Sequence, residues 1–588
     1  MALSGEQKNF IKKYIWKYSP AEIAGHLGLP ESEIHSYLKK RWRPEKYQKY
    51  LNRFRESVKY AGKNFSFKNF LLENRAVLII LVALVTIAYF NTLHNTFVSD
   101  DIPSISQNPS IGNFGNFLFT TPFGFIQRLI YWLAFKGGGL SPVLYHLPNI
   151  FFHLGTTLLA FFILSLLAPR PWAVMASMLF AVHPILSESV TWISGSIYVQ
   201  SAFFFLLSLA FYILSDQKPR FYYYSIAAFA LSIDSSEKAV VLCAIFAAYE
   251  IAFGNLRENW KKLWPFFAIS FAMGLFLLSK VGMRESVLKT SYYLTPGRDS
   301  LFIKIPTSVY SYFRIIFWPD KLSLYQTEMV FTKLQYGGTI VVFLLYLGLI
   351  IYTYFKNKPL SFWLVFFIVP LATTLTPMRI AWAVAERYAY LSTLGILVVV
   401  AWLFYKASGY EKFRYAVYAV FSIIIIALSV RTIVRNMDWR NEETLWTATE
   451  KTSPSGPNIH NNMGAVYQKK GEIQKAIDEF QLAISINPAY ADAYHNLANT
   501  YQQAGRPSEA IEYFKKAIDL NPQLWQSHQN LASIYYKQGN YAQAGEEIKK
   551  ALEINPGDPN LKQNLGLIED GLKNAGQTAP AADAMPSR

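Results

Sequence analysis

The chain has 588 residues, of which 52% are hydrophobic, 16% aromatic and 16% charged, against about 25% charged in an ordinary soluble domain. Its mean hydropathy is +0.16. These values exclude a disordered chain and an ordinary soluble enzyme. The formal net charge of +17 leaves two readings: a nucleic-acid-binding protein, or a membrane protein whose Lys and Arg gather on the cytosolic side. The lone cysteine, Cys243 in an apolar run, excludes a disulfide framework and a cysteine-based zinc site. No signal peptide is expected, since the first apolar run begins near Arg75 after a long basic segment.

Residues 1–74 read as a basic cytosolic helical domain. Ser19 to Lys39 forms two short helices around a turn opened by Gly28, with Ile23, Ala24, Leu27, Leu29, Ile34 and Leu38 as core. The spacing resembles a helix-turn-helix, and Lys39, Lys40, Arg41 and Arg43 follow it. Up to Arg75 there are 16 Lys and Arg against 7 Asp and Glu, a net +9. Docking on anionic membrane lipid or on protein is preferred over nucleic acid as partner.

Residues 75–435 hold apolar stretches of the length a bilayer requires. Eleven spans are expected, near 76–93, 144–168, 172–190, 197–214, 221–234, 238–253, 263–281, 337–355, 360–377, 388–405 and 413–431. Asp234, Glu237 and Lys238 interrupt the fifth and sixth, and ten is the competing count. The loops holding Arg170, Lys218 with Arg220, Arg257 with Lys261 and Lys262, Lys356 with Lys358, and Lys406 with Lys412 and Arg414 share one side with the basic amino terminus. The positive-inside rule makes that side cytosolic. An odd count places the carboxy-terminal part on the opposite face, with the loops at 94–143, 191–196, 235–237, 282–336 and 378–387.

A period of 34 residues runs through 441–573. Pro488, Pro522 and Pro556 mark it, as do Ala476, Ala510 and Ala544, and Gly471, Gly505 and Gly539. This is the tetratricopeptide pattern. Repeats are expected at 457–490, 491–524 and 525–558, with a half-repeat before them, a capping helix after them, and a disordered tail at 574–588. Asn461, Gln468, His495, Asn499, Gln502, Gln529 and Tyr536 are expected on the concave groove. Amide side chains there could hydrogen-bond the backbone of an acceptor or partner protein.

Ionisable residues cluster at span ends on the non-cytosolic face. Asp100 and Asp101 follow the first span, and a carboxylate at a low-dielectric boundary can serve as a base. His183 and Glu188 end the third span, Glu237 and Lys238 sit between the fifth and sixth, and Arg379, Glu386, Arg387 and Tyr388 precede the tenth. Charges at membrane depth are costly and so point to function. Carboxylates could activate a hydroxyl there, and cations could hold a phosphate.

Five stretches together resemble the tetratricopeptide-containing O-mannosyltransferases of the GT-C glycosyltransferase class. They are Asp100-Asp101; Tyr145 to His153 (YHLPNIFFH); Phe180 to Glu188 (FAVHPILSE); Ala385 to Leu391 (AERYAYL); and Asp438 to Trp446 (DWRNEETLW). The resemblance covers about residues 76–570. It implies an all-α fold: a GT-C-like polytopic bundle, a tetratricopeptide solenoid and the small amino-terminal domain. It also implies a polyprenyl-phosphate sugar as donor, mannose or a related hexose, and a protein Ser/Thr hydroxyl as acceptor. One of Asp100 and Asp101 would deprotonate the hydroxyl; the other would orient it or assist a divalent metal, with no other cofactor expected. Arg387 and Lys238, then Arg128, His183 and Arg379, would face the donor phosphate, supported by Glu188, Glu237, Glu386 and Tyr388. The expected location is a bacterial inner or cell membrane, or the endoplasmic reticulum of a eukaryote. The competing function is a membrane-anchored scaffold without catalysis.

Overall fold

The computed structural model describes residues 3–15, 20–47, 50, 65–119, 121, 123–282, 300–326, 331–376 and 382–577, and all regular structure among them is helical. Arg379 lies outside the described residues. The last helix runs to Gln577, past the boundary expected at 573, and the rest of the expected tail also lies outside them.

At the amino terminus, helices Gly5–Tyr14, Pro20–Leu27 and Glu31–Arg41 pack together. Gly28 joins the last two at φ +62°, a left-handed turn that suits a residue without Cβ. Ile23, Ala24, Ile34 and Leu38 are buried, and Leu27 and Leu29 pack partly buried against them.

Among the described residues, seven helices are long and apolar enough to cross a membrane: Phe67–His94, Val143–Leu167, Ile193–Leu214, Leu256–Ser279, Lys333–Lys356, Glu386–Ser408 and Glu411–Asp438. Arg170–Val182 with Pro184–Thr191 makes an eighth if this pair, bent by 51°, counts as one span. The bend follows from Pro184, which forces His183 into extended backbone. Three of the eleven expected spans fall on shorter helices. They are Arg220–Ser235, with 16 residues, Cys243–Ala252, with 10, and Lys358–Leu371, with 14. A helix rises about 1.5 Å per residue, so none of the three alone matches a hydrocarbon layer of about 30 Å.

Small residues bring the membrane helices close. Ser208 and Ser225 donate their hydroxyls to each other's carbonyls at 2.6 and 2.7 Å, and Ser232 donates to the Ser201 carbonyl at 2.8 Å. These bonds seam Ile193–Leu214 to Arg220–Ser235, as small hydroxyl residues do where lipid supplies no hydrophobic drive. A helix that the loop expectation at 282–336 did not include, Leu301–Phe317, buries Val309, Tyr312, Ile315 and Ile316 in the same core.

The carboxy-terminal part is three helix pairs: Pro457–Lys469 with Ile473–Ile486, Ala491–Gln503 with Pro507–Leu520, and Trp525–Lys537 with Tyr541–Ile554. Glu442–Thr452 precedes them and Pro559–Gln577 caps them. The array is seated on the membrane part. Val98, Trp192, Tyr325, Trp382 and Ala385 share one buried cluster with Trp439, Leu445, Trp446, Ile459 and Met463. Ser453 donates to the Tyr325 carbonyl at 2.6 Å, and the Thr96 N–H donates to the Arg440 carbonyl at 2.9 Å. This seat places the repeats beside the loop that carries the acidic pair.

Candidate active site

The acidic pair sits in a tight turn. Ser99 adopts φ +53°, and the Asp101 N–H bonds the Val98 carbonyl at 3.1 Å. Asp101 is fully buried. One of its oxygens accepts both the Ser194 N–H at 2.8 Å and the Ser194 hydroxyl at 2.5 Å, and the other accepts the Val98 N–H at 3.3 Å. Burial pushes its carboxyl up to about 7, against the pull of those bonds. Asp100 is exposed on the other side of the turn. The protein around it displaces enough water to push its carboxyl above the usual value, and the charge on Arg387 pulls it back. The two neighbours are therefore unlike: Asp101 is tied into the structure, and Asp100 is open.

The polar residues of Tyr145 to His153 stitch the other stretches together. His146 Nε2 lies 3.1 Å from the carbonyl of Asn95 in the acidic loop. Asn149 donates to the Trp192 carbonyl at 3.0 Å. His153 bonds the Tyr390 hydroxyl at 2.7 Å and the Ala181 carbonyl at 3.2 Å. Four of the five stretches thus meet at one end of the bundle.

The expected cations take different places. Arg387 is buried against Glu188, which accepts its backbone N–H at 2.9 Å and meets its guanidinium. Glu386 does not pair with Arg387; it pairs with Arg435 at 3.0 Å, both fully buried, and Arg435 also meets Asp438 at 2.9 Å. Lys238 stands 2.8 Å from the Tyr388 ring centre and 5.4 Å from that of Tyr198. Arg387 approaches Tyr388 at 5.0 Å, so two cations flank one ring. Glu237 is half-buried next to Lys238.

Two expected phosphate contacts have structural duties instead. Arg128 donates to the carbonyls of Leu118, Thr121 and Phe123 and to the Thr121 hydroxyl, which ties down its own loop. His183 Nε2 bonds the Ile316 carbonyl at 3.0 Å and its Nδ1 accepts the Ile185 N–H. A carbonyl only accepts and an N–H only donates, so both ring nitrogens are committed. Both Asp101 oxygens accept hydrogen bonds from protein donors, and Asp100 is the open carboxylate of the pair.

Sequence reasoning did not assign site roles to Ser194, Arg435 or the stacked pair Trp192 and Trp439. Trp192 and Trp439 stack at 5.8 Å; Arg387 lies 5.6 Å from the first ring and Arg435 5.7 Å from the second. Arg435 sits at the end of the last span, where it reads as one more flanking charge, and only its zero exposure marks it out.

In the repeats, two of the amides expected to face a ligand, Asn461 and Asn499, accept from amides of the neighbouring repeat. Asn496 donates to Asn461 at 2.9 Å and Asn530 to Asn499 at 2.7 Å. His495 bonds Ser527 at 2.7 Å and Asn499 at 2.9 Å, and burial pulls its pKa down to about 4. Gln468 and Gln502 are half-buried. Gln529 and Tyr536 line a small cavity with Ile548, Asn564 and Leu567.

Fold and site together define a multi-pass helical membrane protein that carries tetratricopeptide repeats directly after its last span. Two tetratricopeptide-repeat family models match residues 457–523 and 501–566. The chain is 23% identical to the human protein O-mannosyl-transferase TMTC3 over 473 residues, which covers 70% of this chain and 51% of that protein. It is 24% identical to protein O-mannosyl-transferase F38B6.6 of Caenorhabditis elegans, covering 70% and 63% of the two chains. It is 25% identical to the Xenopus laevis protein O-mannosyl-transferase tmtc2, covering 70% and 62%. The resemblance read from the five stretches is thus to proteins of that name, and the chain spans about half to two thirds of their length.

Proposed function

We propose that the protein is a membrane glycosyltransferase that moves mannose or a related hexose from a polyprenyl phosphate to a Ser or Thr hydroxyl of a protein, on the non-cytosolic face. The observation that carries this reading is the inequality of the acidic pair: a buried Asp101, tied to Ser194 and Val98, adjoins an exposed Asp100.

Asp100 is the base. Its carboxylate takes the proton of the acceptor hydroxyl, whose oxygen attacks the anomeric carbon as the bond to the lipid phosphate breaks. A base on the face opposite the leaving group gives inversion. Asp101 is the positioning residue, fixing the turn through Ser194 and Val98. The leaving phosphate gains negative charge, and Lys238 with Arg387, both against the Tyr388 ring, supplies the compensating field. The names of the relatives support mannose and a protein acceptor. The repeats, seated on the same loop cluster, present the acceptor.

The test is transfer from a radiolabelled polyprenyl-phosphate mannose by the purified full chain in lipid. Wild type is expected to label a protein acceptor and Asp100→Asn to leave it unlabelled. Equal labelling by the two would overturn the reading.

A further inference from the structure

Three helices meet at His460. Glu442–Thr452 brings Glu450, Pro457–Lys469 brings His460, and Ile473–Ile486 brings Glu479. One ligand atom from each residue lies within 4.8 Å of the other two. We propose that Glu450, His460 and Glu479 bind a divalent transition-metal ion that fastens the helix preceding the repeats to the first repeat.

The hydrogen-bond pattern of His460 carries the inference. The ring is 3% exposed. Its Nε2 is 2.9 Å from the Pro454 carbonyl oxygen, and its Nδ1 is 2.8 Å from Glu479 Oε2. A carbonyl can only accept, so Nε2 carries the hydrogen. A neutral ring then presents a lone pair at Nδ1 to a carboxylate oxygen that also presents a lone pair. A proton, on the ring or on Glu479, or a metal ion has to lie between them.

The repeat two units further on shows what the first one lacks. His528 and Glu547 occupy the positions of His460 and Glu479, with Nδ1 2.5 Å from Oε2. No hydrogen bond of His528 Nε2 occurs among the described residues, so that ring can keep its hydrogen on Nδ1 and donate while neutral. Lys550 then pairs with Glu547 at 2.8 Å and balances its charge. The first repeat has Leu482 where the third has Lys550, and a second carboxylate, Glu450, arrives instead. Glu450 has no ion pair among the described residues. The middle repeat dispenses with the pair altogether and stacks Tyr494 on Tyr513 at 6.2 Å. A His–Glu pair is therefore not needed to close a repeat. The first repeat keeps the pair, loses the local cation and gains an anion.

One imidazole and two carboxylates suit an ion such as Zn²⁺ or Mn²⁺. Metal–ligand distances are about 2.0–2.2 Å, so Nδ1 and Oε2 already stand close to the separation that one ion would bridge. The Nε2–H bond to a backbone carbonyl is the kind of outer contact that fixes the tautomer and aim of a metal-bound histidine.

The test uses the full chain purified in detergent, stripped of metal by dialysis and titrated with zinc chloride. Bound zinc is measured by calorimetry and by elemental analysis. One zinc per chain is expected. Glu450→Gln leaves the His460–Glu479 contact in place and should fold as wild type, yet bind zinc at least about tenfold more weakly. His460→Asn should abolish binding, and His528→Asn should leave it unchanged. The proposal is overturned if wild type retains no zinc, or if Glu450→Gln and His460→Asn bind it as wild type does. Either result would place a proton between Nδ1 and Glu479.

Discussion

Glu188 grips Arg387 twice, through the backbone N–H at 2.9 Å and through the guanidinium, with the Glu188 side chain fully buried. This joins the bent third span to the start of the tenth. Breaking such a pair strands a buried charge, which costs about 3–5 kcal/mol. Glu188→Gln keeps the shape and removes the charge, and it is expected to lower the thermal midpoint of the purified protein more than any exposed Glu→Gln change. Replacing both partners, as Glu188→Leu with Arg387→Met, is expected to recover part of that loss. Tryptophan fluorescence on heating reads both.

Asp100 and Asp101 are adjacent in sequence and opposite in duty, so their variants should fail differently. Asp100→Asn is expected to lower kcat about 10²–10⁴-fold, the usual share of a general base, with the thermal midpoint unchanged. Asp101→Asn places an NH₂ group against either the Val98 N–H or the Ser194 donors. It should lower the midpoint as well as activity. If Asp100→Asn keeps full transfer activity, the base is elsewhere.

The repeats were legible because a 34-residue period repeats Pro, Ala and Gly at fixed places, and each place has one packing role. The long spans were legible for a similar reason, since one apolar run covers a bilayer. Three short helices read as full spans because apolar composition does not report where a helix breaks; Ser236, for instance, leaves the helical conformation at φ −153°, ψ 128°. The acidic pair was legible as a pair, but its division of labour was not. That depends on Ser194, 93 residues away in sequence. The charge partners were the least legible. From sequence, Arg387 could pair with Glu386 beside it or with Glu188; the turn sends the neighbours apart, Glu386 to Arg435 and Arg387 to Glu188.

The raised carboxyls give pH predictions of definite sign. The Asp101 value rises on folding to about 7, so the folded state holds its proton more tightly than the unfolded chain. Its contribution is favourable below the ordinary carboxyl range and is lost as pH rises through about 7. The thermal midpoint should therefore fall between pH 5 and pH 8, and Asp101→Asn should flatten that slope. Transfer runs the other way. It needs Asp100 ionised, and because that carboxyl is also raised, the acid limb of kcat should lie above the range of an ordinary aspartate.

Gly395 lies at a close helix crossing in the membrane part. A Cβ there would stand 2.6 Å from the Trp363 carbonyl oxygen and 2.7 Å from the Phe367 nitrogen, both backbone atoms that no rotamer change can move. Gly395→Ala is expected to cost about 1–3 kcal/mol, as overpacking does, and to lower the yield of monodisperse protein on gel filtration. Gly274→Ala, which meets nothing within 4 Å, is the control and should behave as wild type.

The groove amides separate structure from recognition. Asn499 accepts from Asn530 at 2.7 Å and donates to His495 at 2.9 Å, so it ties the second repeat to the third. Asn499→Ala leaves the Asn530 amide without its acceptor and His495 Nε2 without its donor. Stranding partly buried polar groups costs about 1–3 kcal/mol, so the repeats should unfold at a lower temperature than in wild type. Gln502 makes no such bond among the described residues, and Gln502→Ala should stay within about 0.5 kcal/mol of wild type. Tyr536 is different again. It is 37% exposed at the cavity it shares with Gln529 and Leu567, its ring held edge-on to Tyr541 at 5.4 Å. If acceptor protein docks at this end, Tyr536→Ala should raise KM for the acceptor and leave kcat and the KM for the lipid donor unchanged. An unchanged acceptor KM would move docking to another face of the array.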